Sequence, residues 1–586
     1  MLKRILAVLL LLILSVTLVA CDTGSNGNPP KDPTNNDTPE TPDNPDAPND
    51  TPTPENLFEI YKDGSLISVI IVPEKVTSEE NSLAKRLQSA IFQRTRQQIS
   101  IIKDSEVESA PAGAIIVGNT KLPESQTVYA ELPVRSALAK VEDGMLVFGF
   151  TRQSSATAIA NQFVAALVGD YESTVGIPLD FCESHSTLPI LSDIPSLDDT
   201  SKYSVGAGSE MTYGSSTAAK FKAFCAELDE IGFVKLYEQE SAGNLFATYQ
   251  GEDIYVYTYY TAYSGKIRVI TGPLDELAQV SYDTGAAKTY TPYITSIRQP
   301  DNGLGLIMRL PDGRFIIVDG GYKGDDRVYE ALRDLVPSGK ITIAAWFISH
   351  PHNDHYRGFT DFITNHSTDS SIVIERLMLN FADPEDFYAV EDGDKTVEWD
   401  VNFIYNTINE YALDLTITQV HTGQIIDFGD ATMEILYTME DLMPKELPNI
   451  NDSSMAIRLK MGGSSFMILG DTCYESGPIM HKMWGEYLKS DMVQIAHHGL
   501  WPSVESIYHD IKAEIVIVPA RLSRYKYDIS DSRWKKQTTA YLSYAKDLYT
   551  ACDEPIMIEL PYKFKNNKDA MVNYIKNYVI KEDDPQ

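Results

Sequence analysis

Three histidines and an aspartate fall within six positions of "FISHPHNDHYRGF", residues 347–359. The chain has ten histidines, and all but His185 lie beyond residue 290, so the supply of this side chain is concentrated where the cluster sits. Imidazole and carboxylate are donors that divalent cations accept. His350 and His352 are two apart, so extended backbone would point both the same way. Asp354 and His355 follow after a bend and can face a second point close by. Two imidazoles for one cation, with a carboxylate and an imidazole for its neighbour, suit a paired transition-metal site. Such a pair lowers the pKa of a bound water from 15.7 to about 7 and stabilises charge developing on oxygen, which is the chemistry of hydrolysis. No G-x-S-x-G elbow or reactive-cysteine signature offers a protein nucleophile instead.

The elements that must position these groups are apolar strands. "RFIIVDGG" (314–321) ends at Asp319 and two glycines, and "ITIAAWFISHPHNDH" (341–355) runs straight into the cluster. A strand that stops at polar side chains sets them on the rim of a sheet, where the backbone is rigid and a ligand can approach.

The H-x-H-x-D-H arrangement resembles the metallo-β-lactamase superfamily, and later segments follow in the same order. "SFMILGD" (465–471) ends at Asp471, where that family places its metal-bridging carboxylate. "MVQIAHHG" (492–499) ends at His497 and His498, where it places a last histidine ligand, and "AEIVIVPA" (513–520) is a further strand at the expected place. Neighbours on a strand point to opposite faces, so only one of His497 and His498 is predicted to ligate. The resemblance spans roughly residues 290–586. It implies α/β architecture with a C-terminal αββα sandwich and two divalent metal ions, zinc first, with manganese or iron also accommodated. It also implies a hydrolase in which Asp354 both ligates and orients the attacking water. The shared "GD…HHG" and "DGG" segments look closest to competence-type DNA-processing domains and choline-phosphate esterases. Di-iron redox members carry Glu where this chain has His352, which favours hydrolysis.

Two departures stand out. The family commonly reads DHxGG, whereas here "DHYRGF" puts Arg357 at the first glycine. Many members supply a third histidine to the first metal. His366 is too near the cluster in sequence, and His421 reads as a surface or loop residue. Asp452, in "NDSS" (451–454), and Asp319 are therefore the candidates, as ligands or as groups holding ligands in place. Arg521, Arg524 and Tyr525, after the last core strand, are candidates to contact substrate, a basic group suiting a phosphate. His481 and His509 are expected to be exposed. The segment 381–416 suggests a bulky substrate rather than a β-lactam.

The rest of the 586-residue chain reads as an export leader, a tether and two small domains. Lys3 and Arg4 precede "ILAVLLLLILSVTLVA", ending at Cys21, which resembles a bacterial lipobox with Cys21 as the acylated residue. A transmembrane anchor is the alternative. Residues 22–55 hold nine prolines and eight acids against one Lys, too polar to pack, so 22–56 is a disordered tether. Residues 57–198 alternate strand and helix patterns, an α/β accessory domain. Residues 199–285 combine an amphipathic helix with an antiparallel meander rich in tyrosine, predicted to have one buried and one wet face. The catalytic domain is 286–586. The chain is thus expected to be extracytoplasmic, lipid-anchored at a bacterial membrane, and to act on a small-molecule or cell-envelope, glycan-linked ester or phosphodiester. A surface binding protein with a structural or vestigial metal site, or a lactam or lactone hydrolase, is the alternative. A net charge of −34 argues against nucleic acid as a partner. Cysteines at 182, 225, 473 and 552 form no C-x-x-C pair and read as buried free thiols.

Overall fold

The computed structural model describes residues 56–132, 136–150, 153–186, 201–205, 209–230, 232–251, 254–324, 326–381, 396–412, 415–443, 449–500 and 504–581. Cys21, the tether and residues 382–395 fall outside them. Among the described residues no helix is long and apolar enough to cross a membrane. The chain divides into two compact units with the boundary after Ser186.

In the first unit the strand–helix alternation becomes a six-stranded sheet. Its order is Ile101–Lys103, Ile70–Val72, Ile115–Val117, Met145–Phe150, Ser136–Glu142 and Cys182–Ser186, the first four parallel. Thr77 and Glu80 form a capping box that starts the helix Ser78–Thr95. Glu80 also accepts from the Asn119 amide at 3.0 Å. That contact fills the space a Cβ at Gly118 would need, which explains the glycine in "IIVGNT". Cys225, Cys473 and Cys552 are buried and outside any disulfide, as expected.

Among its described residues the second unit contains three sheets. The tyrosine-rich stretch forms a six-stranded antiparallel sheet, with Lys266–Pro273, Ile254–Thr261 and Asn244–Gln250 adjacent at its middle. The period-2 alternation is present, but along these three strands neither face is wet, whereas the edge strand Val234–Ser241 is largely exposed. Leu245, Ala247, Tyr249 and Val256 pack under Phe221, Phe224 and Leu228 of the helix Ala218–Glu230. Phe246, Tyr255, Tyr257 and Tyr259 pack instead into the core that holds Trp484, Met480 and Tyr508. Their hydroxyls reach polar partners across the seam: Tyr257 donates to the Thr422 carbonyl at 2.7 Å and Tyr259 to Asp441 at 3.1 Å. Tyrosine suits this seam because the ring supplies apolar area while the hydroxyl satisfies a buried acceptor. His421 is part of the same seam and is not a surface residue. It is fully buried, with Nδ1 2.7 Å from Glu440 and Nε2 2.8 Å from the Tyr255 hydroxyl.

The remaining two sheets stack face to face. One has eight strands, with Phe315–Asp319 parallel to Ile341–Phe347, and Ile341–Phe347 parallel to Leu377–Leu379. The other has seven, with Ser464–Ile468, Met492–Gln494 and Ile515–Val518 running parallel. Alternation decides which core each side chain joins. Leu306, Met308, Ile316 and Val318 meet Ile457, Leu459, Ile468 and Ile517 between the sheets. Ile307, Phe315 and Ile317 point the other way, to Leu332, Phe359, Phe362, Val401 and Ile404 on three helices outside the first sheet. Val493, Val516 and Val518 do the same towards helices outside the second. The outcome is helix, sheet, sheet, helix, and each buried Ile, Leu or Met in it contributes roughly 1.5–3 kcal/mol.

Candidate metal centre

Asp319, His350, Asp471 and His498 all sit at or just past the carboxyl ends of strands from these two stacked sheets, so both sheets deliver to one rim. The bend anticipated after His352 is the start of a helix. His352 is the N-cap of Asn353–His366, in extended conformation, and Asp354 and His355 occupy its first turn. The His350 and His352 rings lie 4.7 Å apart, as the two-residue spacing implied.

Two glycines make this approach possible. The Gly320 and Gly321 amides both bond the His355 carbonyl, at 2.6 and 3.0 Å. A Cβ on Gly358 would come within 2.1 Å of the Gly320 carbonyl oxygen. The second glycine of the family's DHxGG pattern is therefore required by contact with the "DGG" turn, whereas position 357 has room for a side chain.

Asp319 is fully buried in left-handed conformation, φ 57°. One carboxylate oxygen accepts from the Ser349 amide at 2.7 Å, and the other from the Ser349 hydroxyl at 2.8 Å and His355 Nδ1 at 2.7 Å. A carboxylate on Nδ1 fixes the proton there and turns Nε2 towards the site. The Ser349 hydroxyl does the same for His350 Nδ1 at 3.1 Å, and the Pro519 carbonyl for His498 Nδ1 at 2.8 Å. Three imidazoles thus present Nε2 to one space. Asp319 holds ligand-type residues rather than joining them.

Asp471 occupies the centre. His355 Nε2 and His498 Nε2 stand 3.2 and 3.3 Å from its Oδ2, and His350 Nε2 stands 4.0 Å away. His498 Nε2 is also 3.1 Å from Asp354. The side chains form two sets whose ligand atoms lie within 4.8 Å of one another: His350, His352 and Asp471, and Asp354, His355, Asp471 and His498. Asp471 is common to both. The Nε2 atoms of His350 and His355 and the Oδ1 of Asp471 are buried without a hydrogen-bond partner. Orphaned polar atoms of this kind cost about 1–3 kcal/mol each unless something fills the gap. A pair of cations fits the donors and the geometry.

The electrostatics match a site built for positive charge. Burial drives His350 well below the usual imidazole range, helped by His355 and His352. Burial also opposes charge on His355 and His498, but Asp471 and the neighbouring carboxylates outweigh it, raising His355 well above its ordinary value and His498 to about 10. Burial resists charge on Asp471 too, and His355, His498 and His497 overcome it and hold its carboxyl well below the usual range.

His497 and His498 do not sit on a strand, so alternation does not separate them. Both take left-handed conformations, φ 48° and 57°, in a turn past Met492–Gln494. Consecutive left-handed residues are costly, of the order of 1–2 kcal/mol each, and such strain gathers at working sites. The turn sends His498 into the second set and leaves His497 outside both, its Nδ1 3.3 Å from the Cys473 sulfur and its Nε2 3.9 Å from Asp471.

"NDSS" acts as a buttress. Asp452 Oδ1 accepts from the Cys473, Glu475 and Ser476 amides and from the Ser476 hydroxyl, at 2.7–3.1 Å, which caps the helix after Asp471. Ser454 accepts from the Asp471 amide at 3.0 Å. Asp452 belongs to neither ligand set.

Two of the three residues expected over the site, Tyr525 and Arg521, are engaged elsewhere. Tyr525 is fully buried, its hydroxyl 2.6 Å from that of Tyr541, with its ring beside Gly499. Arg521 donates to the Pro300 carbonyl at 2.9 Å and pairs with Asp553 at 3.3 Å, fixing the loop 299–303. Arg524 is half-buried on the same helix, beside Asp528. A residue with no sequence signal takes a place at the rim: the Tyr322 ring and the Asp354 carbonyl both line the space beside Gly303, within 3.3 Å of where a Cβ would stand. His366 stacks on Tyr329 at 3.9 Å, and His481 and His509 are exposed.

No protein-family model matches the chain, and no curated protein does. Solved structures similar to it include unliganded yeast PDE1, at 10% identity over 46% of this chain and 100% of that one, TM-score 0.29. A diphosphatase from the PhnP family is similar at 12% identity over 46% and 98%, TM-score 0.27. A mutant of CmlA β-hydroxylase is similar at 14% identity, TM-score 0.25, over 49% of this chain, which spans about half, 51%, of that protein. TM-scores this low carry no weight for function, which is read from the site itself.

Proposed function

We propose that the chain is a hydrolase working with two divalent cations, of the metallo-β-lactamase type that its motif order resembles, and that it cleaves an ester or phosphodiester. The observation that carries this reading is the pair of side-chain sets sharing Asp471, with three of their buried polar atoms left without a partner. His350, His352 and Asp471 would hold one cation, and Asp354, His355, Asp471 and His498 the other. Imidazole with carboxylate suits zinc first, and manganese or iron are served by the same donors. When bound, such a pair makes water acidic enough to attack near neutral pH and draws off charge that develops on oxygen.

The chain's own residues do the rest. Asp319 and Ser349 hold the Nδ1 atoms of His355 and His350, so the Nε2 atoms are aimed into the site. Asp354, 3.1 Å from His498 Nε2, would orient a water. Ser454 and Asp452 keep Asp471 from swinging out. Burial pushes the Cys473 thiol far up, so it offers no thiolate nucleophile despite its place beside His497.

Metal analysis of the purified protein beside hydrolysis of bis-p-nitrophenyl phosphate, a p-nitrophenyl ester and a chromogenic lactam tests the reading. Turnover of diester or ester that disappears in Asp354→Ala supports it. Bound cations with no turnover of any of the three indicate a binding protein. We further infer that Cys21 is acylated and anchors the enzyme outside the cytoplasm, where envelope-linked substrates are at hand. Incorporation of labelled palmitate that is lost in Cys21→Ser checks this.

A further inference from the structure

Three residues beyond Asp354 on the same helix stands Arg357. Three residues are about 4.5 Å of helix rise, and side chains at that spacing are surface neighbours. The chain carries 83 acids against 49 Lys and Arg, and arginines elsewhere in the second unit are claimed by them. Arg314 pairs with Asp312 and Glu375, Arg458 with Glu434, and Arg521 with Asp553. Arg357 has no carboxylate partner among the described residues, and its buried Nε has no hydrogen-bond partner at all. Asp400, on the facing helix Thr396–Tyr411, instead accepts from the Tyr356 hydroxyl at 2.5 Å.

What holds Arg357 is aromatic. Its guanidinium lies 4.3 Å over the Phe403 ring and 5.9 Å from that of Tyr356. Phe403 in turn stacks on Trp399, centroids 5.0 Å apart and planes 21° apart, and Trp399 is 58% exposed. The result is a row of guanidinium, phenyl and indole that begins one helical turn from Asp354. A guanidinium held over a ring has lost part of its freedom already, and its fork remains suited to an oxyanion.

We propose that this row is a substrate subsite: Arg357 takes a second anionic group of the substrate, away from the scissile bond, and Trp399 takes the flat face of the ring that carries it. This rests on the hydrolytic reading above and names its substrate class.

The test compares substrates that differ only in the distal group. Thymidine 3′-phosphate 5′-(p-nitrophenyl phosphate) is set against thymidine 5′-(p-nitrophenyl phosphate), and mono-p-nitrophenyl glutarate against p-nitrophenyl butyrate. The first pair reads a distal phosphate and the second a distal carboxylate. In at least one pair the wild type should show KM lower by about ten- to hundredfold for the anionic member, the size of one charge-assisted contact. Arg357→Ala should erase that preference and Arg357→Lys keep part of it, while kcat/KM on bis-p-nitrophenyl phosphate changes less than about threefold. Trp399→Ala should lower the advantage of the thymidyl substrates. Turnover with no preference in either pair, or a preference that survives Arg357→Ala, overturns the subsite and leaves the hydrolase standing. No turnover of any substrate overturns both. A structural role alone would lower the thermal midpoint of Arg357→Ala without moving the KM ratio.

Discussion

Asp319→Asn isolates the contribution of one carboxylate that lies outside both ligand sets. The position is left-handed, φ 57°, and asparagine tolerates that conformation, so the backbone is not the variable. The amide must place either its oxygen or its nitrogen towards His355 and the Ser349 hydroxyl. With the nitrogen there, it can donate only to an unprotonated Nδ1, which moves the imidazole proton to Nε2 and blocks the atom that faces Asp471 at 3.2 Å. With the oxygen there, the nitrogen confronts the Ser349 amide, now 2.7 Å from a carboxylate oxygen, donor against donor. Either arrangement weakens the second set directly, while the first set keeps its three side chains and feels the change only through the Ser349 hydroxyl. Loss of such an orienting partner typically lowers metal affinity by about 10–100-fold, which is about 1.4–2.7 kcal/mol. Titration with zinc against a competing chelator should therefore show one cation bound with nearly wild-type affinity and the other weakened by that factor. Equal affinity at both sites in wild type and variant would refute the role given to Asp319.

His498→Ala should bind one cation where the wild type binds two and lose activity on the order of a hundredfold or more, whereas His497→Ala should keep both cations in elemental analysis. Asp441 gives a pH prediction in the tyrosine seam: burial, against Arg268 and Thr422, pushes its carboxyl from an ordinary 3.8 to about 6. The folded chain then holds this proton more tightly than the unfolded one. Stability from this group is full below about pH 4 and is lost as pH rises through 6, about 3 kcal/mol in all. Asp441→Asn cannot titrate, so relative to wild type it should gain up to about 3 kcal/mol between pH 4 and pH 7. Urea unfolding followed by tryptophan fluorescence reads this, since all five tryptophans lie in the second unit. A pH-independent difference would count against the burial of a shifted carboxyl there.

What the sequence disclosed and what it hid divide along physical lines. Apolar runs ending in polar residues located the strands that deliver Asp319, His350, Asp471 and the "HHG" turn, because period-2 burial and strand ends are local properties. The choice between His497 and His498 was not local: it depends on two left-handed residues and on the Pro519 carbonyl, 21 residues on. His421 was misread for the same reason, since its partners Tyr255 and Glu440 come from a separate sheet and a later turn. The meander's polar hydroxyls suggested a wet face, yet those of Tyr255, Tyr257 and Tyr259 each meet a buried partner across the seam. Tyr525 looked accessible in a run of charged residues, but only packing beside Gly499 shows that its ring points inward. Tyr322 carried no signal because its place at the rim comes from the turn after "DGG" and from the loop that Arg521 ties down.

The central claim is that Asp471 serves two cations at once. Elemental analysis of the purified chain combined with anomalous diffraction at the metal edge tests it most directly. Two ions per chain, about 3.5–4 Å apart, with Asp471 between them and both lost in Asp471→Ala, is the predicted result. A single ion, or two ions neither of which touches Asp471, would contradict it.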